Sequence, residues 1–149
     1  MADDTKSWLI ILALQAQLQG IAVANGYRTD AGKAVWTEPK QRDASAALGI
    51  SIATQHIDRW PGERPNKRGR QLLLTVEAAI STDLDNAHQL AHQLIGDVED
   101  CLEKSAAAGA LPAVPGVKPF EVESSEVANQ PEGAPFIGVA MIISAGYLR

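Results

Sequence analysis

Hydrophobic residues recur at helical spacing in two long segments. The first segment runs from about Asp4 to Ala24 and ends at Asn25-Gly26, a pair that accepts the left-handed conformation found at helix ends. The second runs from about Asp83 to Ser105. Its apolar stripe comprises Leu84, Ala87, Leu90, Ala91, Leu94, Ile95, Val98, Cys101 and Leu102. Both segments therefore predict amphipathic helices with one face toward a core.

The remaining apolar positions alternate with a period of two, which is typical of strands. Two short β-prone runs flank the turn Asp30-Ala31-Gly32 and predict a hairpin. The predicted strands are Tyr27–Thr29, Lys33–Trp36, Leu48 to about Ile57, Leu72–Ile80, Phe120–Val127 and Phe136–Leu148.

This order, α-β-β-β-β-α-β-β, predicts an α+β fold in one domain that covers residues 1–149. Short connections between successive strands favour antiparallel pairing, so we expect a mainly antiparallel or mixed sheet. Both helices are expected to pack on one face of that sheet.

The last predicted strand is apolar on both faces, whereas a half-exposed strand should alternate with polar residues. Phe136, Ala140 and Ile142 point one way, and Ile137, Val139, Met141, Ile143 and Tyr147 point the other way. One explanation is a central strand covered by the hairpin or by the loop at positions 106–118. The other is a contact with a neighbouring subunit through Ile137, Val139, Met141 and Ile143, which predicts a protein that assembles with copies or partners.

Composition adds limits to the class of protein. The chain is 46% hydrophobic and 21% charged, which excludes a disordered chain. Its longest apolar run, Trp8–Leu14, is far shorter than the ~20 residues that cross a bilayer. Asp3 and Asp4 precede that run where a secretory signal needs positive charge, so we expect a soluble, cytosolic protein that does not engage membranes.

The candidate catalytic and metal-ligating residues form no complete constellation. His88 and His92 lie four residues apart, but Gln89 stands where the zinc-protease motif has glutamate, so a solvated helix face explains them. Cys101 has acidic neighbours and is expected to be a buried thiol rather than a nucleophile. Glu121 and Glu123 lack an apolar pocket for acid–base work. The sequence therefore predicts no enzyme, no metal site and no cofactor.

One segment departs from the acidic balance of the chain, whose net charge is −5. Of the 13 basic residues, five fall between positions 59 and 70, in a stretch with two prolines and two glycines that predicts an exposed loop. The candidate docking residues are Arg59, Trp60, Arg64, Lys67, Arg68 and Arg70. Three interpretations stay open: a solvated loop, a contact with an acidic protein surface, and a contact with DNA.

The order of these elements resembles the tail terminator (tail completion) proteins of long-tailed bacteriophages, the lambda-type minor tail proteins. The resemblance rests on the first helix ending in Ala24-Asn25-Gly26-Tyr27, the predicted hairpin Tyr27–Val35, and the strand, basic loop and strand over Leu48–Thr82. The second helix and the final strand pair complete it, so that it covers nearly the whole chain.

The resemblance implies a structural virion protein rather than an enzyme. Such proteins form a hexameric ring on the tail tube protein, end tail polymerisation, and then offer a surface to the head-completion or connector protein. DNA passes through the ring without specific binding, and Glu121, Glu123 and Glu126 are candidates to face that lumen. The implied location is the virion tail or neck, with assembly in the host cytoplasm. The alternatives are another phage neck or head–tail connector subunit, and a cellular ligand-binding or enzymatic α+β module.

Overall fold

The computed structural model describes residues 5–38, 48–59, 69–82, 85–107, 117, 119–128 and 135–148. Its elements are helix α1 (Lys6–Leu18), strands β1 (Val35–Trp36), β2 (Leu48–Arg59) and β3 (Gly69–Ser81), helix α2 (Ala87–Ala107), and strands β4 (Glu121–Val127) and β5 (Phe136–Leu148). The strands form one mixed sheet in the order β1-β2-β3-β5-β4. β1 is parallel to β2, and the other neighbours are antiparallel. The predicted α+β class is therefore confirmed.

Helix α1 begins where Thr5 accepts a hydrogen bond from the backbone N–H of Trp8 at 3.4 Å, as an N-cap residue does. It ends at Leu18, earlier than predicted, because the chain tightens there: the N–H of Ile21 bonds to the carbonyl of Leu18 at 3.0 Å. Helix α2 keeps its predicted stripe, with the described members from Ala87 to Leu102 buried or half-buried. Both helices contribute their apolar faces to a single core.

The core lies between these helices and one face of the sheet. On β3 the buried side chains are Leu72, Leu74, Val76, Ala78 and Ile80, the set that alternation predicted. Their register partners on β5 are Ala145, Ile143, Met141, Val139 and Ile137. Because register partners in an antiparallel sheet point to the same side, β5 supplies the other half of this core face.

The predicted subunit contact on β5 is therefore wrong. Val139, Met141 and Ile143 are at most 2% exposed within the monomer, and Ile137 is half-buried against the same core. These side chains are covered by the helices of their own chain, so a second copy cannot reach them. The face of β5 that the helices leave uncovered is the opposite one, which carries Phe136, Ala140 and Ile142.

The predicted hairpin at Tyr27–Trp36 is also wrong. Residues Val23–Asn25 and Ala31–Lys33 form single 3₁₀ turns, and only Val35 and Trp36 join the sheet, next to β2. The backbone N–H groups of Arg28 and Thr29 donate to the carboxylate of Asp97 on α2, and Gly32 donates to the carbonyl of Ile21. Because these donors already have partners, they do not form a strand ladder.

Candidate functional site: the open face of the sheet

One face of the sheet carries no helix among the residues that the structure describes. We call this the open face, and define it by the side chains that alternate with the core positions. Its described members are Trp36, Gly49, Ser51, Ala53, His56, Asp58, Gln71, Leu73, Thr75, Glu77, Ala79, Ser81, Glu121, Ser124, Glu126, Phe136, Gly138, Ala140, Ile142, Ser144, Gly146 and Leu148. Glycine, alanine, serine and threonine occupy half of these positions, so many of the described side chains project little from the sheet.

Much of the centre of the open face is apolar. Leu73, Ala79, Ala140 and Ile142 are half-buried there. At the β1 side, the Trp36 indole lies directly over Gly49, where any larger residue would collide with its ring. Phe136 is 38% exposed at one end of β5 and Leu148 is 48% exposed at the other end. Such a surface can either pack against a second layer of protein or border a narrow space filled with solvent.

The charged side chains of the open face are acidic. In the described part of the sheet it bears Asp58, Glu77, Glu121 and Glu126 and no lysine or arginine. Glu123 lies at a bulge in β4, and its carboxylate accepts a hydrogen bond from Ser144 at 2.5 Å, which brings it to the same face. His56 is the one ionisable base on the described face, and its Nε2 lies 2.8 Å from Oδ1 of Asp58.

The three predicted acidic residues are thus gathered on one side of the sheet. Glu126 is in register with Ala140, and Ala140 with Glu77. Strands lie ≈ 4.8 Å apart, so these two glutamates stand on the order of 10 Å from each other, which is about one Debye length at physiological ionic strength. The face therefore presents negative charge on both its central strand β3 and its edge strand β4.

The predicted docking loop is described at its two ends only. Trp60, Arg64, Lys67 and Arg68 lie outside the described residues. Arg59 and Arg70 are register partners at the end of the β2–β3 pair, and Arg70 donates to the carbonyl of Gly69 at 2.9 Å.

The remaining sequence candidates take structural positions. Cys101 is buried, as predicted, and its Sγ lies 3.2 Å from the carbonyl oxygen of Gln17. Burial raises the pKa of this thiol, which disfavours the reactive thiolate. His88 and His92 are exposed, and their rings meet edge to face with centroids 4.9 Å apart. The described residues contain no group of three side chains suited to hold a metal ion.

The sequence analysis missed a buried polar cluster around Asp97. This carboxylate is 0% exposed and accepts hydrogen bonds from the backbone N–H groups of Arg28 and Thr29, from the Thr29 hydroxyl and from the Arg28 guanidinium. Hydrogen bonds to Asp100 and then Asp97 raise the pKa of Arg28. The cluster fastens the segment before β1 to α2. The signal for this cluster in the sequence was the position of Asp97, an acidic residue beside the apolar stripe of α2, between Leu94 and Val98.

No family model matches the sequence, and a search of curated proteins finds no match. Among solved structures, the chain is similar to a chain of the "Virion of native gene transfer agent (GTA) particle". The identity is 16%, the TM-score is 0.64, and the similarity covers 93% of each chain. The two proteins thus share a fold over nearly their whole length. None of the helices that the structure describes is long and apolar enough to cross a membrane.

Proposed function

We propose that this protein is a structural component of a phage-like virion, and that it forms a ring that caps the tail tube. The ring ends tail polymerisation and offers the surface to which the head joins. The observation that carries the proposal is the open face, which is acidic and free of lysine and arginine at its described positions. The fold shared with a chain of a gene transfer agent virion supports the same class of protein.

An acidic lining suits a channel through which DNA must slide. Double-stranded DNA carries one negative charge per ≈ 1.7 Å, and basic side chains would hold it by releasing counterions. Carboxylates repel the phosphates and keep the duplex centred. In a ring of six copies, Asp58, Glu77, Glu121, Glu123 and Glu126 would supply about 30 carboxylates around the lumen.

The partners in this proposal are further copies of the chain, the tail tube protein and a head-completion or connector protein. The basic segment at positions 59–70 docks on an acidic protein surface, and the DNA is a passing cargo without a specific site. The role requires no catalytic residue and no cofactor. The protein would be found in the tail or neck of the virion, after assembly in the host cytoplasm.

Deletion of the gene tests the role in tail assembly. Loss of a terminator gives overlong or headless tails in electron micrographs, because polymerisation of the tube no longer stops. Tails of normal length that fail to join heads would instead assign the protein to another neck or connector position. Particles that assemble normally would refute a virion role and favour a cellular α+β module.

Charge reversal on the open face tests the lumen assignment separately. We expect Glu77→Lys with Glu126→Lys to leave the fold intact, because both side chains are exposed, and to create affinity for duplex DNA. Glu38→Lys with Asp85→Lys is the matched control, since these exposed residues lie outside both the open face and the lining of the groove beside β4. Particles that carry the open-face variant should eject DNA more slowly than particles that carry the control. Equal ejection rates would show that this face does not line the channel.

A further inference from the structure

A groove lies between the C-terminal half of α2 and the beginning of β4. Its volume is about 530 Å³, and it is open to solvent along one side. Leu102, Phe120 and Val122 form its apolar floor. Leu102 and Phe120 belong to the buried core, so the floor is held rigidly by the fold. The groove is separate from the centre of the open face, because Phe120 and Leu102 contribute to the layer that contains the helices.

The rim of this groove is acidic. Glu99 and Glu103 line it from α2, one helical turn apart. Glu121 borders the groove at the start of the edge strand β4, where its register with Ser144 places its side chain toward the open face. All three are exposed. Among the described residues of α2, the cation Lys104 does not line the groove, and its ammonium lies 4.6 Å from the centre of the Tyr27 ring. An apolar floor inside an anionic rim suits a segment that combines an aromatic or aliphatic side chain with arginine or lysine.

We propose that this groove binds the basic segment at positions 59–70 of a second copy of the chain. The inference rests on the proposed ring and names the acidic surface on which the segment docks. The segment contains Trp60 and five of the 13 basic residues of the chain, in a protein whose net charge is −5. Tryptophan and arginine are the residue types that anchor interfaces, and groove and segment are complementary in charge and in polarity.

The segment and the groove are attached to different strands of the sheet. The segment joins β2 to β3, whereas the groove lies beside β4, with β3 and β5 between β2 and β4. Three strand spacings put β2 roughly 14 Å from β4. A ring with more than two members needs a heterologous contact, in which two different surfaces of the same chain meet. The basic segment after β2 and the acidic groove beside β4 are two such different surfaces.

Single-cysteine cross-linking tests the contact. In a Cys101→Ala background, one chain carries Ala106→Cys in the groove and a second chain carries Asn66→Cys in the segment. An intrachain bond is impossible in this mixture, so a disulfide joins two copies. The matched control replaces Ala106→Cys by Ala24→Cys, another exposed alanine, which does not line the groove. We expect the groove pair to cross-link at least about tenfold faster than the control, since a formed contact gives effective thiol concentrations near the mM range.

Two results would overturn the inference. The first is a cross-linking rate in the mixture no higher than that of the control. The second is a bond that forms only within a chain carrying both Ala106→Cys and Asn66→Cys, which would show that the chain's own segment fills the groove. If instead the residues that follow α2 fill the groove, the mixture also stays uncross-linked. Glu99→Lys with Glu103→Lys should abolish the cross-link without unfolding the chain, and 1 M salt, where the Debye length is about 3 Å, should weaken it.

The outcome is separable from that of the proposed function. Rings and normal tail length without the cross-link would refute the groove contact and leave the terminator role standing. A cross-link between copies, together with tails of normal length after gene deletion, would confirm the contact and refute the terminator role.

Discussion

Replacing Asp97 with asparagine isolates the energetic role of the buried carboxylate. Asparagine keeps the size of the side chain and one acceptor oxygen, but turns the other acceptor into an NH₂ donor. If the retained oxygen faces the two donors of Thr29, the new NH₂ faces the backbone N–H of Arg28, which donates to Asp97 at 3.0 Å. That N–H loses its acceptor and meets another donor.

The expected loss follows from the hydrogen bonds. A bond to a charged acceptor contributes about 1.5–3 kcal/mol, and the bonds from Thr29 weaken toward the value of about 1 kcal/mol for neutral partners. Together these changes cost roughly 3 kcal/mol of unfolding free energy. For a domain of this size each kcal/mol lowers Tm by about 2–4 °C, so we expect a fall of about 6–12 °C.

Thermal unfolding followed by circular dichroism measures this difference, with Asp100→Asn as the control. Asp100 also binds Arg28, at 3.0 Å, but its side chain is 44% exposed and water replaces the lost contact. The control should therefore lower Tm by much less than Asp97→Asn. If the two variants unfold at the same temperature, the segment before β1 is not held by the buried carboxylate, and the explanation given for the missing hairpin fails with it.

Three further predictions concern the core, a close backbone contact and pH. Met141→Asp should prevent folding, because Met141 is 0% exposed and a carboxylate there would be buried without a partner. Ile142→Asp, at a half-buried position of the open face, should leave a protein that circular dichroism shows to be folded. Equal behaviour of the two variants would refute the assignment of the two faces of β5. Gly32→Ala should lower Tm by more than Gly96→Ala. A Cβ at position 32 would stand 2.6 Å from the backbone carbonyl oxygens of Leu18 and Gln19, whereas a Cβ at position 96 would meet the end of the long Arg28 side chain at 3.1 Å. The reverse order of Tm would contradict this packing. Burial, and then contact with Cys101, raises the pKa of Tyr27 from 10.0 to about 12, so the folded state holds this proton more tightly and stability should fall as pH rises between these values. Denaturant unfolding should show a weaker pH dependence in Tyr27→Phe, and an unchanged slope would refute the assignment.

The sequence predicted best where one side of an element is apolar and the other polar. The stripe of α2 and the alternation of β3 both place their described apolar members in the core, and the predicted bounds of β5 match the structure. Local patterning was sufficient in these cases because burial of a one-sided apolar surface dominates the free energy of each element.

The pattern of β5 could not show which of its faces is internal. Val139 and Ile142 are both aliphatic, so alternation predicted two apolar faces and left the choice between them to packing. The helices cover the face of Val139, because its register partner Ala78 lies on the buried side of β3. Among the described residues, one apolar face of β5 does remain uncovered by the helices, but it is the face that carries Ile142 and not the face that carries Val139.

The hairpin failed for a different reason. Asp30-Ala31-Gly32 has the composition of a hairpin turn, but the Asp97 carboxylate, far away in the sequence, accepts the donors that a ladder would need. Local propensity cannot reveal a partner 68 residues away. The groove beside β4 was equally invisible, since it forms only when the end of α2 packs against Phe120.

The place of β5 in the sheet sets a condition on biosynthesis. This strand comes last among the described elements, yet it lies between β3 and β4; it pairs with β3 along its whole length and with β4 from Val139 to Ser144. Until Leu148 has left the ribosome, β3 lacks one neighbour and β4 has none, so the nascent chain exposes unpaired backbone and apolar side chains. We therefore expect folding to follow translation of the final strand, and newly made chains to need protection from aggregation during that interval.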